Sequence, residues 1–493
     1  MMKKVVIIGG GIAGMTAGVM LQKEGYQTEI FEKNAVVGGQ CTGWKREGYV
    51  IDNCIHWLTG TKEGSDLHEL WKEIGALGDN IEVHQKEMFF SSKLNGQTLT
   101  YWRDADRTRK EMLELSPQDE KEIHKLIDHV KLAESLEIPV EKPFDSMNLL
   151  EFIKLGMSMK AMGKVMKEYG AIDIKELAFR FKHPLIQRSI MDYMPPGYLA
   201  FAFLVSYATV IGGNGDIPKG GSLEMAMRIA NKYKVSGGVL HTNAAVERIL
   251  LNGKKAEGIL LQDGRKVNAD YIVCSCDTDY TFRKLLPGAY VPKRLKKQYE
   301  ERRKYPVSSG FQIAYAVNGV FSELTGTRFF SCDEIEVGNH SVRTMSIYSY
   351  DYEPDFAPEG KMIIQSNFVQ SEVDYKYWEK LYSNKELYER KKKEIAQQAM
   401  ERIIVEYPFL KGKIHVLDVW TPMTYVRYCN SYKGAYMSFV TTKAAKSITT
   451  PGIINGIDNV LLASQWLMGP GGLPVAAAMG KFAAWRIIKK SDY

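Results

Sequence analysis

The stretch Lys4-Val5-Val6-Ile7-Ile8-Gly9-Gly10-Gly11-Ile12-Ala13-Gly14 decides the fold. Residues 5–8 form an unbroken apolar run, the pattern of a parallel strand buried on both faces. The run leads straight into six residues that satisfy G-x-G-x-x-G. In that frame Gly9 makes the tight turn and Gly11 lets the backbone approach a diphosphate. Gly14 lets the following helix close on the strand, and Ile12 and Ala13 complete the nucleotide-contacting loop. A helix is predicted over 15–23, with its N-terminal amides facing the phosphates.

Gly25 ends that helix, Gln27–Phe31 reads as the second strand, and Glu32 and Lys33 follow it. An acid at the end of this strand accepts hydrogen bonds from ribose hydroxyls and disfavours a 2′-phosphate. Strand, glycines, helix, strand and acid in this order mark a dinucleotide site. Gly212-Gly213-Asn214-Gly215 lacks the spacing of a second such unit, so no separate nicotinamide site is expected and the electron partner stays open.

At 493 residues the chain is long enough for two interwoven domains, and 45% hydrophobic with 25% charged residues is ordinary for a soluble globular protein. The net charge of +7 is a mild basic excess, read either as a solvated surface or as attraction to anionic lipid or an acidic ligand. Lys and Arg are spread along the chain without a nucleic-acid motif, so no nucleic-acid partner is expected. The six cysteines are sparse, and Cys274-x-Cys276 has the wrong spacing for zinc. No metal site is expected, and free thiols fit a reducing cytosol. Residues 1–21 read as strand, turn and helix rather than as a secretory leader. No uninterrupted apolar stretch elsewhere reaches membrane-spanning length.

Further motifs say which dinucleotide. Gly38-Gly39-Gln40 and Gly48-Tyr49-Val50-Ile51-Asp52 follow Glu32, and Pro218-Lys219-Gly220-Gly221-Ser222 precedes a helix predicted over 223–233. Strand, turn and strand follow over 238–246, with a hairpin turn at Asp263-Gly264 and a buried strand over 269–275. Asp458-Asn459-Val460-Leu461-Leu462-Ala463, then Ser464-Gln465 and Gly469-Pro470-Gly471-Gly472-Leu473, lead into a helix reaching Lys489. In these motifs the chain resembles the FAD proteins of the phytoene desaturase, carotenoid isomerase and retinol saturase group. The resemblance implies an α/β fold: a Rossmann-type FAD-binding domain assembled from discontinuous segments 1–87, 218–286 and 452–493. An α+β substrate domain, an antiparallel sheet plus helices, takes 88–217 and 287–451. It also implies that Gly38, Gly39 and Gln40 lie against the flavin nucleotide, with Gln40 where the group usually has Arg. Val246 offers backbone contacts to the adenine. Gln465 stands where the group has an acid, and the helix behind Gly472 and Leu473 points at the flavin ring.

The substrate half carries fewer signals. Phe152, Leu155, Met159, Met162 and Met166 recur at helical spacing, with Lys160, Lys164 and Lys167 on the opposite flank. This is either a core-facing helix or one resting on a membrane with its lysines at the headgroups. Residues 198–211 are a second apolar run, either core or tunnel mouth. Thr421-Pro422-x-Thr424 and Gly434-Ala435-Tyr436 again resemble retinol saturases. Between them Tyr425, Arg427 and Tyr428 are pocket candidates; Arg427 either binds an anionic head group or pairs with a structural acid. His56 is a candidate proton donor near the flavin or a packed histidine. Catalytic candidates are therefore His56, Tyr425 and Arg427.

The expected activity is FAD-dependent oxidoreduction at carbon–carbon double bonds of a long hydrophobic substrate: desaturation, saturation or isomerisation of a carotenoid, retinoid or unsaturated fatty acid. The rivals are an amine-oxidase-like or protoporphyrinogen-oxidase-like flavoenzyme and a non-catalytic flavin-binding redox or membrane-docking protein. The expected location is cytoplasmic, with peripheral contact at the inner face of a membrane as the sharper form.

Overall fold

The computed structural model describes residues 2–136, 138–286, 288 and 290–491. Five strands, β1 (Lys4–Ile8), β2 (Gln27–Phe31), β3 (Val239–His241), β4 (Tyr271–Cys274) and β5 (Val460–Leu462), form an all-parallel sheet in the order β3-β2-β1-β4-β5. Strands from the start, middle and end of the chain thus share one sheet. Helices α1 (Ile12–Lys23), α2 (Gly221–Val235) and α3 (Leu473–Ser491) accompany it. Residues 12–21 of α1 are buried on every side, as an all-round apolar helix at the centre of a domain must be. The helix starts at residue 12 rather than 15, because Gly11 in extended geometry already serves as its N-cap. A three-stranded antiparallel sheet follows β3, with its turn at Gly264 (φ +89°).

The other half is built on a seven-stranded sheet in the order Ile414–Trp420, Ser309–Asn318, Lys361–Gln370, His340–Ser349, Thr327–Val337, Met88–Leu94, Gln97–Trp102. Its pairings are antiparallel except between Thr327–Val337 and Met88–Leu94, which run parallel. The expected antiparallel sheet is thus joined by one parallel pairing, at this junction. The 88–102 hairpin arrives from the nucleotide half, far in sequence from its neighbour, so no short turn sets its direction. The period of two sorts the Ser309–Asn318 strand cleanly. Phe311, Ile313, Tyr315 and Val317 pack with helices 372–406, where Trp378 stacks on Phe311 at 5.2 Å between centroids. Ala314 and Ala316 share the other face with Tyr49 and Ile51 of the nucleotide half.

The predicted 152–166 stripe is split. Leu149–Ser158 and Lys160–Tyr169 are separate helices, and of the stripe only Met162 is buried, while Phe152, Met159 and Met166 are exposed. The second helix packs inward through Met162, Val165 and Tyr169. The core-facing alternative therefore fails for most of the stripe. The 198–211 run contains the helix Ala200–Ile211, whose Phe203, Leu204, Tyr207 and Ala208 are core residues.

Gly14 shows how closely α1 seats on the strand turn. A Cβ there would lie 2.2 Å from the Gly9 carbonyl oxygen and 2.5 Å from Ser275 Oγ. Gly14→Ala is expected to cost about 1–3 kcal/mol through forced displacement and to impair nucleotide retention. Chemical denaturation and flavin content of the purified variant check this.

Candidate functional site

One cavity opens at the carboxyl ends of β1, β2 and β4, where open α/β sheets bind ligands. Its lining includes Gly9, Gly11, Ile12, Ala13, Glu32, Lys33, Gly38, Gly39, Gln40, Val246, Gln465, Gly472 and Leu473, every nucleotide residue expected from the sequence except Gly14. Gly14 stands behind the wall as the helix–strand contact. Glu32 is buried; its Oε2 accepts from the Gly10 amide and its Oε1 from the Asn34 amide, both at 2.8 Å. The carboxylate is thereby aimed before any ligand arrives. The Gly38 amide donates to the Gly10 carbonyl at 2.8 Å, which sets the second glycine pair beside the first loop.

The residues present fit a flavin dinucleotide. The N-terminus of α1 has no side-chain cap and no acid in its first turn, so its leading amides remain for an anion. A Cβ on Gly11 would meet nothing nearer than the Gly38 carbonyl at 4.0 Å, which leaves room for a diphosphate against the backbone. At the opposite end Gln465 Oε1 accepts from the Gly472 amide at 2.7 Å, shaping the glycine loop that starts α3. Gln40 lines the cavity, but its Nε2 donates to the Ala435 carbonyl at 2.8 Å. It acts as a tether to the 431–435 segment, where an arginine would supply charge.

That segment is part of the site, although the sequence assigned it to the substrate half. Tyr428, Cys429, Asn430, Ser431 and Tyr436 all line the cavity. Lys33 Nζ donates to the Arg427 carbonyl at 2.9 Å and to Asn430 Oδ1 at 3.1 Å. Asn34 Nδ2 donates to the Tyr428 carbonyl at 3.0 Å. Asp277, missed in the sequence, accepts from the Tyr432 and Asp279 amides at 2.8 Å each, and burial raises it to about 7. The only signal for Asp277 was its place just past the end of β4.

Behind the cavity Asp52 is buried and holds the first two chain segments together. It accepts from the Ser222 amide and hydroxyl at 2.6 Å each and from the amides of Cys54 and Ile55 at 3.1 and 3.3 Å. Burial pushes its pKa upward, against the pull of these donors. Gly221 (φ +65°) passes so close that a Cβ would lie 2.3 Å from Asp52 Oδ2. The Gly48–Asp52 and Pro218–Ser222 motifs are thus two halves of one junction.

The three catalytic candidates do not converge. Tyr425 is buried with its hydroxyl fully engaged: it donates to Asn53 Oδ1 at 3.0 Å and accepts from Gln312 Nε2 at 3.0 Å and Trp420 Nε1 at 3.3 Å. It is a strut rather than a free acid. Arg427 is exposed at a second cavity of about 540 Å³, also lined by Tyr425 and Trp420, and carries no ion pair among the described residues. Its alternative as partner of a structural acid therefore fails. His56 stacks on Tyr348 with centroids 4.8 Å apart, and its carbonyl accepts from Lys86 Nζ at 3.2 Å. Burial, assisted by the nearby Lys86, lowers His56 to about 4, so the imidazole is neutral at pH 7 and is no proton donor there. Burial likewise lowers Lys86 to about 8. Burial raises the Tyr436 phenol, and the neighbouring phenols of Tyr198, Tyr425 and Tyr348 add to the effect.

This fold and cavity define an FAD-dependent oxidoreductase. Residues 12–488 match the family described as flavin containing amine oxidoreductase, and the chain belongs to it. Among curated relatives, a phytoene desaturase (lycopene-forming) of a Paracoccus species is 22% identical, over 88% of this chain and 87% of its own. A 4,4′-diaponeurosporene oxygenase of Staphylococcus haemolyticus is 24% identical over 98% and 97%. The fold is shared with an oxidoreductase from Methanosarcina mazei at a TM-score of 0.62 and 17% identity, covering 99% and 100% of the two chains. It is also shared with putrescine oxidase bound to putrescine, at 0.61 and 16% over 99% of each.

Glu32→Ala removes a buried carboxylate from the cavity wall and strands two amides. FAD binding is expected to weaken by roughly 1.5–3 kcal/mol, read as a ten- to hundredfold rise in Kd by titration. At His56 the unfolded chain takes up a proton between pH 6.5 and about 4 that the folded chain refuses. Stability therefore falls as pH drops through that window. His56→Gln should flatten this acid limb in pH-dependent unfolding and leave the rate profile between pH 6 and 8 unchanged.

Proposed function

We propose that the protein oxidises, reduces or isomerises carbon–carbon double bonds of a long hydrophobic substrate such as a carotenoid, retinoid or unsaturated fatty acid. The observation that carries this reading is that the cavity holding the glycine loop of α3 is also lined by Tyr436, Trp466, Leu473 and Ala476, uncharged side chains suited to an uncharged polyene. The relatives that align with nearly the whole chain, named for phytoene and diaponeurosporene, support the same substrate class.

When bound, FAD supplies the exchange of hydride with substrate carbon. The protein's own groups do the rest. The first amides of α1 would hold the diphosphate and Glu32 the adenosine ribose. Val246 would offer backbone contacts to the adenine, and Gln465, Gly472 and Leu473 would serve the flavin. Tyr436, with Tyr198 and Tyr348 near it, forms an aromatic wall that orients a polyene and excludes water, and no group need titrate near pH 7 for that task. The parallel sheet supplies one dinucleotide unit, so an external small molecule or protein exchanges electrons with the flavin. The setting proposed is the cytoplasm, in peripheral contact with a membrane that stores the substrate.

To check this, the flavin is reduced anaerobically and candidate polyenes are added. Recovery of the oxidised flavin band with a carotenoid, retinoid or unsaturated fatty acid is expected. Oxygen consumption with amines, beside indifference to every lipid, would overturn it.

A further inference from the structure

The helix Leu149–Ser158 is built inside out. Leu149, Leu150 and Met157 are 75%, 78% and 66% exposed, and Phe152 and Ile153 are exposed beside them. At 100° per residue these five side chains fill an arc of about 160°. Glu151 and the half-buried Leu155 project from the opposite side. The next helix, Lys160–Tyr169, has the ordinary arrangement. Met162, Val165 and Tyr169 are buried, and Lys160, Lys164 and Lys167 project from the far side.

These lysines lack counter-charges. The two acids of the helix pair are taken, Glu151 by Lys142, and Glu168 by Lys125 and Arg180. Lys154, Lys160, Lys164 and Lys167 carry no ion pair among the described residues. A wide apolar arc running directly into a face of unpaired lysines is the pattern of a helix lying in a bilayer interface, with cations at anionic headgroups. No helix among the described residues is long and apolar enough to cross a membrane.

We infer that the 149–169 helix pair is a docking surface for an anionic lipid bilayer, with the apolar arc of 149–158 entering the acyl boundary and the lysines meeting lipid phosphates. The inference deepens the membrane contact proposed above, yet it stands on exposure and charge and does not require the polyene substrate.

The test is flotation of the FAD-loaded protein with vesicles of phosphatidylcholine alone or mixed with phosphatidylglycerol, at low and high salt. Binding to the anionic vesicles, weakened by salt, is expected. Leu150→Glu with Ile153→Glu should lower that partition by about tenfold or more, and Lys160→Glu with Lys164→Glu by roughly fivefold per lysine. Flavin content and detergent-micelle turnover of either double variant should stay at wild-type levels, since none of the four residues is in the FAD site. Failure to bind anionic vesicles at low salt, or binding that both variants retain, overturns the surface. So does a wild-type dimer in light scattering that Leu150→Glu splits without vesicle binding, because a second copy would then cover the arc. Vesicle binding by a protein inert to all polyenes upholds the surface and overturns only the substrate class.

Discussion

The Asp52 carboxylate gathers four donors, two of them from Ser222, 170 residues away in sequence. A discontinuous nucleotide domain needs such a junction, because the amides at the mouth of the cavity cannot hold the segments together. They must stay open for a diphosphate. The bracing therefore sits one layer behind, in a buried carboxylate whose desolvation is offset by donors from both segments. Its position also makes Gly221 obligatory, since the turn into α2 runs across the face of the carboxylate. The same logic recurs at Glu32 and Asp277, acids whose oxygens are occupied by backbone amides and which fix loops around the ligand space.

What was legible in the sequence were the parts where backbone geometry restricts residue type. The Gly9–Gly14 loop and Glu32 could be assigned because only a few residues tolerate those positions, and the glycine pair at 38–39 through its resemblance to the group's second glycine motif. The strand after Asp458 and the closing helix were found from a buried apolar run followed by glycines. Tyr428 could be named as a pocket candidate, but the recruitment of Cys429, Asn430 and Ser431 into the nucleotide cavity wall was not legible. It depends on bonds from Lys33, Asn34 and Asp277 to main-chain atoms, and a backbone partner leaves no trace in the partner's sequence. The protonation of His56 was likewise hidden, because burial and the nearness of Lys86 arise only on folding. The parallel join of the 88–102 hairpin to the large sheet has the same origin: its neighbour is more than two hundred residues away.

The two cavities divide the chemistry of the chain. The nucleotide cavity borrows walls from both halves, whereas the second holds Arg427 and the satisfied hydroxyl of Tyr425. An aromatic residue between the Thr421–Thr424 and Gly434–Tyr436 motifs reads as a pocket residue in sequence. In the fold its hydroxyl links Asn53, Gln312 and Trp420, so it aligns the sheet with the loop that follows Asp52.

The outermost helix of the substrate half completes the physical picture. Leu149–Ser158 folds with little help from packing, since Asn148 and Glu151 form a reciprocal capping box and Lys142 pairs with Glu151. Local bonds of this kind stabilise a helix whatever its outer face carries. The neighbouring helix, by contrast, is held by Met162, Val165 and Tyr169 in the core and keeps lysines outside. Folding therefore places no demand for large apolar residues at 149, 150, 153 and 157, and exposure in water penalises each of them. An apolar arc that contributes nothing to the core, beside cations without counter-charges, is accounted for by a surface that is itself apolar within and anionic at its boundary.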